Sequence, residues 1–370
     1  MLTFDYIEDD ASLAKLVQQY QSADLLVLDT EFVRTRTYYA RLGLIQVYDG
    51  TTLALIDPVA VTDLSEFWAL LTDTNRLVVL HSCSEDLEVI ARYGQCQPAN
   101  LFDSQIAASL CGMGHGVGYA KLVEQCLEVN LDKGESRTDW LKRPLTQAQL
   151  NYAANDVYYL YNLLPQLQQK LAELGRTEWL AEESQRMTEG RLTAPDPESA
   201  YLKVKNAFQL SPRQLAHLKV LASWRLTRAL EKDLALGFVL KDHAMIGLAK
   251  KQPKSVADIY KMVELTEQEK RINAKAIISV MAQADLDNPP QPIDVIALKP
   301  GYKSAFKALK NCLVALAEQH DVAIELLGSK RHIHEYLQWR WQGKSQTKQP
   351  LLMQGWRAEI VADSLTAIDV

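Results

Sequence analysis

Several features of secreted, disulfide-bonded or membrane proteins are missing from this sequence. It has only five cysteines, no two of them spaced as CxxC, which argues against a disulfide framework and against a cysteine-ligated zinc site. No apolar run approaches the roughly 20 residues of a membrane-spanning helix, and the first ten residues carry acids where a signal peptide carries positive charge. We therefore expect a cytoplasmic protein that does not associate with a membrane.

The composition is that of a globular protein, with 48% hydrophobic and 23% charged residues. A chain of 370 residues is too long for one compact core, so two or three domains are expected. The net charge of −6 is unevenly distributed, because residues 201–345 contain about 23 Lys and Arg against about 14 Asp and Glu. A basic region in an acidic protein is typical of a nucleic-acid-facing surface, although solvated helix faces have the same composition.

The hydrophobic pattern changes along the chain. Four short apolar runs predict strands at 25–28, 44–48, 53–56 and 77–80. Apolar spacing predicts helices over 64–71, 85–93, 103–110 and 146–171. Together these elements indicate an α/β domain in which a mixed sheet is flanked by helices.

Beyond about residue 200 the strand pattern stops and amphipathic helices follow. A proline-rich segment at 288–292 separates two helical blocks that share a faint internal likeness. We expect two copies of one small all-α module. Lys303, Lys307 and Lys310 fall on one face of a predicted helix in the second block and are candidates for phosphate contacts.

The sequence Leu-Asp-Thr-Glu-Phe places two carboxylates, Asp29 and Glu31, at i and i+2 at the end of a predicted strand. Residues at this spacing project from the same face of a sheet, so the two acids can share a metal ion. A solvated strand end has the same pattern, and neighbouring acids must decide between the two interpretations.

Two further acidic elements lie on predicted helices. Asp86 falls in the first turn of a helix that Ser84 can cap, where the helix dipole alone favours an acid. Tyr152 and Asp156 are spaced i, i+4 on one face of a helix whose apolar neighbours indicate packing. An acid on a packed helix is harder to explain as a solvated residue.

Four carboxylates can hold two hard divalent cations such as Mg²⁺ or Mn²⁺. A pair of such ions about 3.5–4 Å apart can activate a water and stabilise the leaving oxygen of a phosphodiester. Tyr152 is then expected to orient the attacking water, since a phenol with an ordinary pKa near 10 is a poor general base at neutral pH.

These motifs, LDTEF, SEDLEV and YAANDVYYL, together resemble the three exonuclease motifs of the DEDD superfamily. The Tyr-x-x-x-Asp form of the third motif resembles the tyrosine-bearing subclass. With two carboxy-terminal modules similar to HRDC domains, nearly the whole chain resembles the bacterial ribonuclease D family. The resemblance implies a ribonuclease H-like exonuclease domain over 1–195 and HRDC-like domains over 205–287 and 292–370.

The resemblance also implies an activity and a site. The activity is 3′→5′ exoribonuclease, releasing nucleoside 5′-monophosphates from structured RNAs such as transfer-RNA precursors, by a protein expected to be monomeric. The implied metal ligands are Asp29, Glu31, Asp86 and Asp156, with Tyr152 as the water-orienting group. Phe32, beside the first motif, and Lys133, spaced from Tyr152 as a family lysine near the terminal nucleotide, are weaker candidates for substrate contact.

Two alternatives remain open from the sequence. A DNA 3′→5′ exonuclease of the same superfamily has the same carboxylates, and some helicase-linked exonucleases have an HRDC-like module. An RNA-binding scaffold with an inactive exonuclease fold belongs to a different functional class. The complete set of catalytic residues argues against the scaffold.

Overall fold

The computed structural model describes residues 2–132, 134–343 and 349–370. Its contacts divide the chain into two compact units. The first unit comprises Met1–Val33, Arg41–Leu192 and Ile296–Val370, and the second comprises Arg34–Ala40 and Thr193–Val295. The predicted third domain, 292–370, thus lies almost entirely in the same unit as the predicted exonuclease domain. The exact domain boundaries remain a prediction.

One mixed sheet forms the centre of the first unit. In the described residues its strands are β1 Asp5–Ile7, β2 Leu25–Val33, β3 Arg41–Tyr48, β4 Leu53–Ile56, β5 Leu77–Leu80 and β6 Leu101–Asp103. Their order is β1-β4-β3-β2-β5-β6, with β3 antiparallel to both neighbours. The four predicted strands are confirmed. The two missed strands, β1 and β6, are three residues long and too short to show a period.

Seven helices precede residue 192 in the described chain. They are α1 Asp10–Tyr20, α2 Ser65–Leu70, α3 Ser84–Gly94, α4 Ser104–Leu110, α5 Tyr119–Leu127, α6 Gln147–Glu173 and α7 Thr177–Thr188. Helices α1, α5 and α7 lie outside the segments predicted to be helical. The Ser84 cap is wrong, because Cys83 occupies the N-cap position of α3 and makes no side-chain cap bond.

Helix α6 covers the central strands. A capping box between Thr146 and Gln149 fixes its start by satisfying amide groups that the first turn leaves unpaired. Its buried face includes Ala153, Val157 and Leu160, and it packs against β2, β3 and β4. Ala153, which is fully buried, lets the helix approach the sheet closely.

The carboxy-terminal part of the first unit is helical. Its elements are α13 Tyr302–Gln319, α14 Ile324–Leu327, α15 Lys330–Trp341 and α16 Gly355–Ala367, with short 3-10 helices at Ile296–Leu298 and Leu351–Met353. These helices share one hydrophobic core with α6 and the sheet. Trp356 is fully buried and stacks on Trp179 of α7 with ring centroids 4.7 Å apart.

Two arginines join α7 to these helices. Arg357 is 2% exposed and donates through both terminal nitrogens to the Glu183 carboxylate, and Trp356 Nε1 donates to the same group at 2.9 Å. Burial raises the pKa of Glu183, but the hydrogen bonds and charge of Arg357 outweigh burial and hold that pKa below its ordinary value. Arg176 donates to the carbonyl oxygens of Leu110 at 2.5 Å and His320 at 2.6 Å.

The second unit is all-helical in its described residues. Its helices are α8 Pro212–Lys232, α9 Leu236–Val239, α10 Asp242–Lys251, α11 Val256–Tyr260 and α12 Glu267–Met281, preceded by 3-10 helices at Ala200–Lys203 and Ala207–Gln209. Leu218, Leu221, Met245 and Ile277 are fully buried in its own core. The change to helices after residue 200 is confirmed. No described helix of either unit has the length and apolarity needed to cross a membrane.

The buried ion pair gives a first prediction. Replacing Arg357 by methionine leaves the buried Glu183 charge with only the Trp356 indole at 2.9 Å and Arg186 at 3.8 Å. Loss of the main partner of a buried charge costs roughly 3–5 kcal/mol of unfolding free energy. Arg331→Met is the matched control, because Arg331 pairs with Glu335 at 2.8 Å while its side chain is 84% exposed, and such surface pairs contribute about 1 kcal/mol or less. Urea unfolding monitored by circular dichroism measures both variants. Equal losses of stability in the two variants would show that the Arg357–Glu183 pair contributes no more than a surface ion pair.

Candidate active site

Three carboxylates from two elements meet on one face of the sheet. Oxygen atoms of Asp29, Glu31 and Asp156 all lie within 4.8 Å of one another. The first two project from β2 at i and i+2, and the third comes from α6, which packs on that face. The two acids of β2 lie inside the strand rather than at its end, because β2 continues to Val33.

Asp86 lies beside this group. It is 6% exposed, in the first turn of α3, and accepts a 2.5 Å hydrogen bond from the Thr30 hydroxyl. The turn before α3 is held by Asp103, whose Oδ2 accepts from the Cys83 backbone N–H at 2.9 Å. Parallel pairing of β2 with β5 brings this turn next to the two acids of β2.

Close packing changes the acidity of all four groups. Burial, followed by the charges of Asp86, Asp156 and Glu31, raises the pKa of Asp29 well above its ordinary value. Burial and the charges of Asp156 and Asp86 raise the pKa of Glu31 to about 9. Burial raises the pKa of Asp156 to about 8, against a hydrogen bond from Tyr152, and that of Asp86 to about 6, against the bond from Thr30.

The donor set fits hard divalent cations. All four side chains offer carboxylate oxygens, the ligands that Mg²⁺ and Mn²⁺ prefer, and among the described residues no histidine or cysteine joins the cluster. Like charges this close favour either bound protons or a bound cation. The arrangement is therefore suited to divalent metal ions at a pH where the carboxylates can ionise.

Tyr152 lies at the edge of the cluster, one helical turn before Asp156 on α6. Its ring is half-buried, with its centroid 6.2 Å from that of Trp140. Burial and the charge of Asp156 raise the pKa of its phenol further above 10. The hydroxyl therefore stays protonated at neutral pH and can donate a hydrogen bond.

A second layer of contacts fixes the wall next to Tyr152. Trp140 is 1% exposed and packs on Gly43, where an added Cβ would lie 2.7 Å from the Trp140 carbonyl oxygen. Gly43 is the extra residue of a bulge on β3, because Glu31 pairs with Leu44 and Phe32 pairs with Leu42. Arg143 donates to the carbonyl oxygens of Gly43 at 2.6 Å and Trp140 at 2.8 Å. Trp140 is thus a packing residue.

The sequence patterns do not identify three polar residues that surround the cluster. Thr30 holds Asp86, and the Tyr119 hydroxyl donates to the carbonyl oxygens of Asp156 at 2.6 Å and Asn155 at 3.0 Å. Gln46 pairs across the sheet with Asp29. Only Thr30 lies within a recognisable motif. The others reach the site through folding, from separations that no local pattern reveals.

The structure describes only one of the two weaker candidates for substrate contact. Phe32 follows Glu31 on β2 and is partly exposed, so it stays a candidate for substrate contact. Lys133 lies outside the described residues, and its predicted role stays a prediction.

Comparison with protein families matches three consecutive parts of the chain. A 3′→5′ exonuclease family matches residues 4–172, the HRDC domain family matches residues 214–281, and the family described as the ribonuclease D carboxy-terminal HRDC domain matches residues 300–365. The predicted order of one exonuclease domain and two HRDC domains is confirmed.

Relatives match over the full length. Ribonuclease D of Shewanella sp. (strain ANA-3) is 67% identical over 367 residues, covering 99% of this chain and 94% of that protein. Ribonuclease D of Escherichia coli (strain K12) is 41% identical over 370 residues, covering 98% of each. The crystal structure of E. coli RNase D, described as an exoribonuclease involved in structured RNA processing, superposes with a TM-score of 0.94 at 40% identity, covering 99% of this chain and 98% of that one.

The raised pKa of Asp156 gives a second prediction. A carboxyl whose pKa rises on folding destabilises the metal-free fold as pH increases from its ordinary pKa of 3.8 towards about 8. In EDTA, Asp156→Asn should therefore melt higher than the parent chain at pH 8, by roughly 2–4 °C, and the difference should shrink towards pH 5. Thermal melts across this range measure it.

The control for this experiment is Glu359→Gln, which changes an exposed carboxylate of α16 and should leave the pH profile unaltered. Parallel profiles for Asp156→Asn and the parent chain contradict the predicted repulsion within the cluster.

Proposed function

The chain belongs to the ribonuclease D family, and we propose that it removes nucleotides from RNA 3′ ends at the cluster of Asp29, Glu31, Asp86 and Asp156. Membership makes it a 3′→5′ exoribonuclease of RNA processing, since the relatives named ribonuclease D match its whole length. The observation that supports this site is the meeting of acids from β2 and α6 within 4.8 Å. The products expected are nucleoside 5′-monophosphates.

The cofactors proposed are two divalent ions, Mg²⁺ or Mn²⁺, held by the four carboxylates. When bound, such ions supply Lewis-acid activation of water and stabilisation of the leaving oxygen. The side chains provide the rest of the chemistry. The acids of β2, fixed between β3 and β5, would hold the ions from the sheet, and Asp86 and Asp156 would hold them from α3 and α6.

Tyr152 is assigned to orient the attacking water. Tyr152 lies one helical turn before Asp156 on α6, and its hydroxyl is close enough to that carboxylate to lower its pKa. A water beside Asp156 would therefore have the phenol as a second hydrogen-bonding partner. The high pKa of the phenol excludes its use as the base. The proton of the water therefore passes to a group other than Tyr152.

Structured RNAs, transfer-RNA precursors among them, are the proposed substrates. The supporting observation is the similarity of the chain to E. coli RNase D, which is described as acting in structured RNA processing. Lys303, Lys307 and Lys310 are all exposed along α13. A row of lysines can contact phosphates without reading sequence.

A cytoplasmic, monomeric enzyme is the proposed state. All five cysteines are free thiols, each buried or partly buried, as expected for a reducing compartment. The acidic cluster is built from one chain, so a second copy is not needed to complete it. The two alternatives, a DNA exonuclease and an inactive scaffold, are not favoured by relatives named ribonuclease D.

The proposal predicts the outcome of a time course on RNA. With Mg²⁺ or Mn²⁺, a 3′-labelled RNA should release labelled mononucleotide and a 5′-labelled RNA should shorten stepwise, whereas EDTA should stop both reactions. Asp29→Asn should lower the rate by roughly 10²–10³-fold or more, because it removes a ligand charge without removing volume.

Glu359→Gln is again the control and should cleave at the parental rate. A matched DNA strand tests the alternative substrate, because only a contact to the 2′-hydroxyl distinguishes the two terminal sugars. Faster cleavage of DNA favours the DNA exonuclease, and RNA binding without cleavage favours the scaffold.

Tyr152→Phe tests the water-orienting role separately. Loss of the hydroxyl should lower kcat by roughly 10²-fold and leave the Kd for RNA and for Mn²⁺ nearly unchanged, since neither ligand charge nor the ring is removed. Single-turnover kinetics beside equilibrium binding separates the two effects. A variant with parental kcat, or one that loses RNA affinity instead, contradicts the assignment.

A further inference from the structure

Gln46 is a buried polar residue whose side chain makes no hydrogen bond in the described structure. It lies in the middle of β3 with no exposed surface. Neither its amide nitrogen nor its amide oxygen has a hydrogen-bonding partner among the described residues. Among the described asparagine and glutamine side chains, Gln46 is the one whose amide nitrogen and amide oxygen are both buried and unpaired.

The sheet register places this amide beside the acidic cluster. Gln46 pairs directly with Asp29 of β2 on one side and with Leu55 of β4 on the other. Residues directly opposite in an antiparallel pair project from the same face, with Cβ atoms about 4.5–5.5 Å apart. Gln46 therefore lies on the face that carries Asp29 and Glu31, beneath α6, which packs on β2, β3 and β4.

Its surroundings are otherwise apolar. The same face carries Leu44 of β3, Leu55 of β4 and Val27 of β2, all fully buried in one core cluster with Ala153 and Val157 of α6. An unpaired amide in such a place costs roughly 1–3 kcal/mol relative to a paired one. An apolar side chain of equal length suits these neighbours better. The amide therefore has no stabilising role in the metal-free fold.

We propose that Gln46 is a positioning residue for the metal ligand Asp29: when a divalent cation binds, the side-chain N–H group of Gln46, unpaired in the metal-free fold, turns to donate to a carboxylate oxygen of Asp29 and fixes the orientation in which that carboxylate holds the cation. This inference rests on the proposed function of the acidic cluster. The terminal torsion of a glutamine rotates over a broad range, and the side chain is long enough to bridge directly opposed residues of neighbouring strands.

The proposed hydrogen bond matters because Asp29 with a bound metal ion differs from Asp29 without one. A carboxylate that coordinates a metal keeps one or more lone pairs to satisfy, and ligating carboxylates are commonly held by a hydrogen bond from a second residue. A glutamine supplies that donor without adding negative charge to a cluster that already holds four acids. Loss of such outer partners typically lowers metal affinity about 10- to 100-fold.

The test is Mn²⁺ binding to the full-length, RNA-free chain, measured by calorimetry after EDTA treatment and dialysis. Gln46→Met keeps the length of the side chain and removes both polar atoms. We expect the Kd for Mn²⁺ to rise about 10- to 100-fold, while the melting temperature in EDTA stays equal to or above that of the parent chain. The rate of RNA cleavage should recover in part at high Mn²⁺, since the ligands themselves remain.

Leu55→Met is the matched control, because it changes a buried residue of the same layer on the other side of Gln46 without altering polarity. It should leave Mn²⁺ affinity unchanged. If Gln46→Met does not fold, Gln46→Leu repeats the measurement with a different apolar shape.

The possible outcomes separate this inference from the proposed function. Parental Mn²⁺ affinity in the folded Gln46 variant overturns the positioning role, as does a loss of affinity matched by Leu55→Met. A markedly lower melting temperature in EDTA for both apolar variants also overturns it, because Gln46 is then needed for the fold itself. If the parent chain and Asp29→Asn bind Mn²⁺ alike, the metal assignment of the cluster fails and this inference fails with it.

Discussion

The exonuclease domain of this protein depends on one constraint, the repulsion between the carboxylates of Asp29, Glu31 and Asp156, which lie within 4.8 Å of one another. Acids this close gain from separating, from binding protons or from binding a cation, and only separation takes the candidate metal ligands apart. The surrounding structure has to hold them together without a cation bound. That requirement explains why β2, which carries Asp29 and Glu31, lies in the interior of the sheet between β3 and β5.

Rigidity around the cluster comes from interactions of several kinds. Apolar packing of α6 on three strands fixes Asp156 and Tyr152, and the Thr30 hydroxyl fixes Asp86. Arg143 and the Gly43 bulge hold Trp140 against the site. The same core continues into the carboxy-terminal helices, where Glu183 and Arg357 form a buried ion pair. The carboxy-terminal HRDC module is thus packed as part of the exonuclease body.

Much of this site could be predicted from the sequence, because its main residues fall in short motifs with a period. The Asp29 and Glu31 pair is recognisable from the two-residue repeat of a strand, and Tyr152 with Asp156 from the four-residue repeat of a helix. Family resemblance then joins the motifs, which spacing alone cannot do.

Other features depend on contacts between distant residues and could not be predicted. Gln46 looks like an ordinary polar residue in a strand until the register places it opposite Asp29. Tyr119 becomes a support for α6 only through folding, 37 residues before the carbonyl it binds. The short strands β1 and β6 form because neighbouring strands offer them hydrogen bonds, which is a tertiary effect rather than a local preference.

The most direct test of the metal assignment is anomalous diffraction from crystals grown with Mn²⁺ and a nucleoside 5′-monophosphate. The expected result is two anomalous peaks about 3.5–4 Å apart, bounded by the carboxylates of Asp29, Glu31, Asp86 and Asp156. Manganese bound elsewhere on the chain, or a cluster that holds no ion at saturating Mn²⁺, would contradict it.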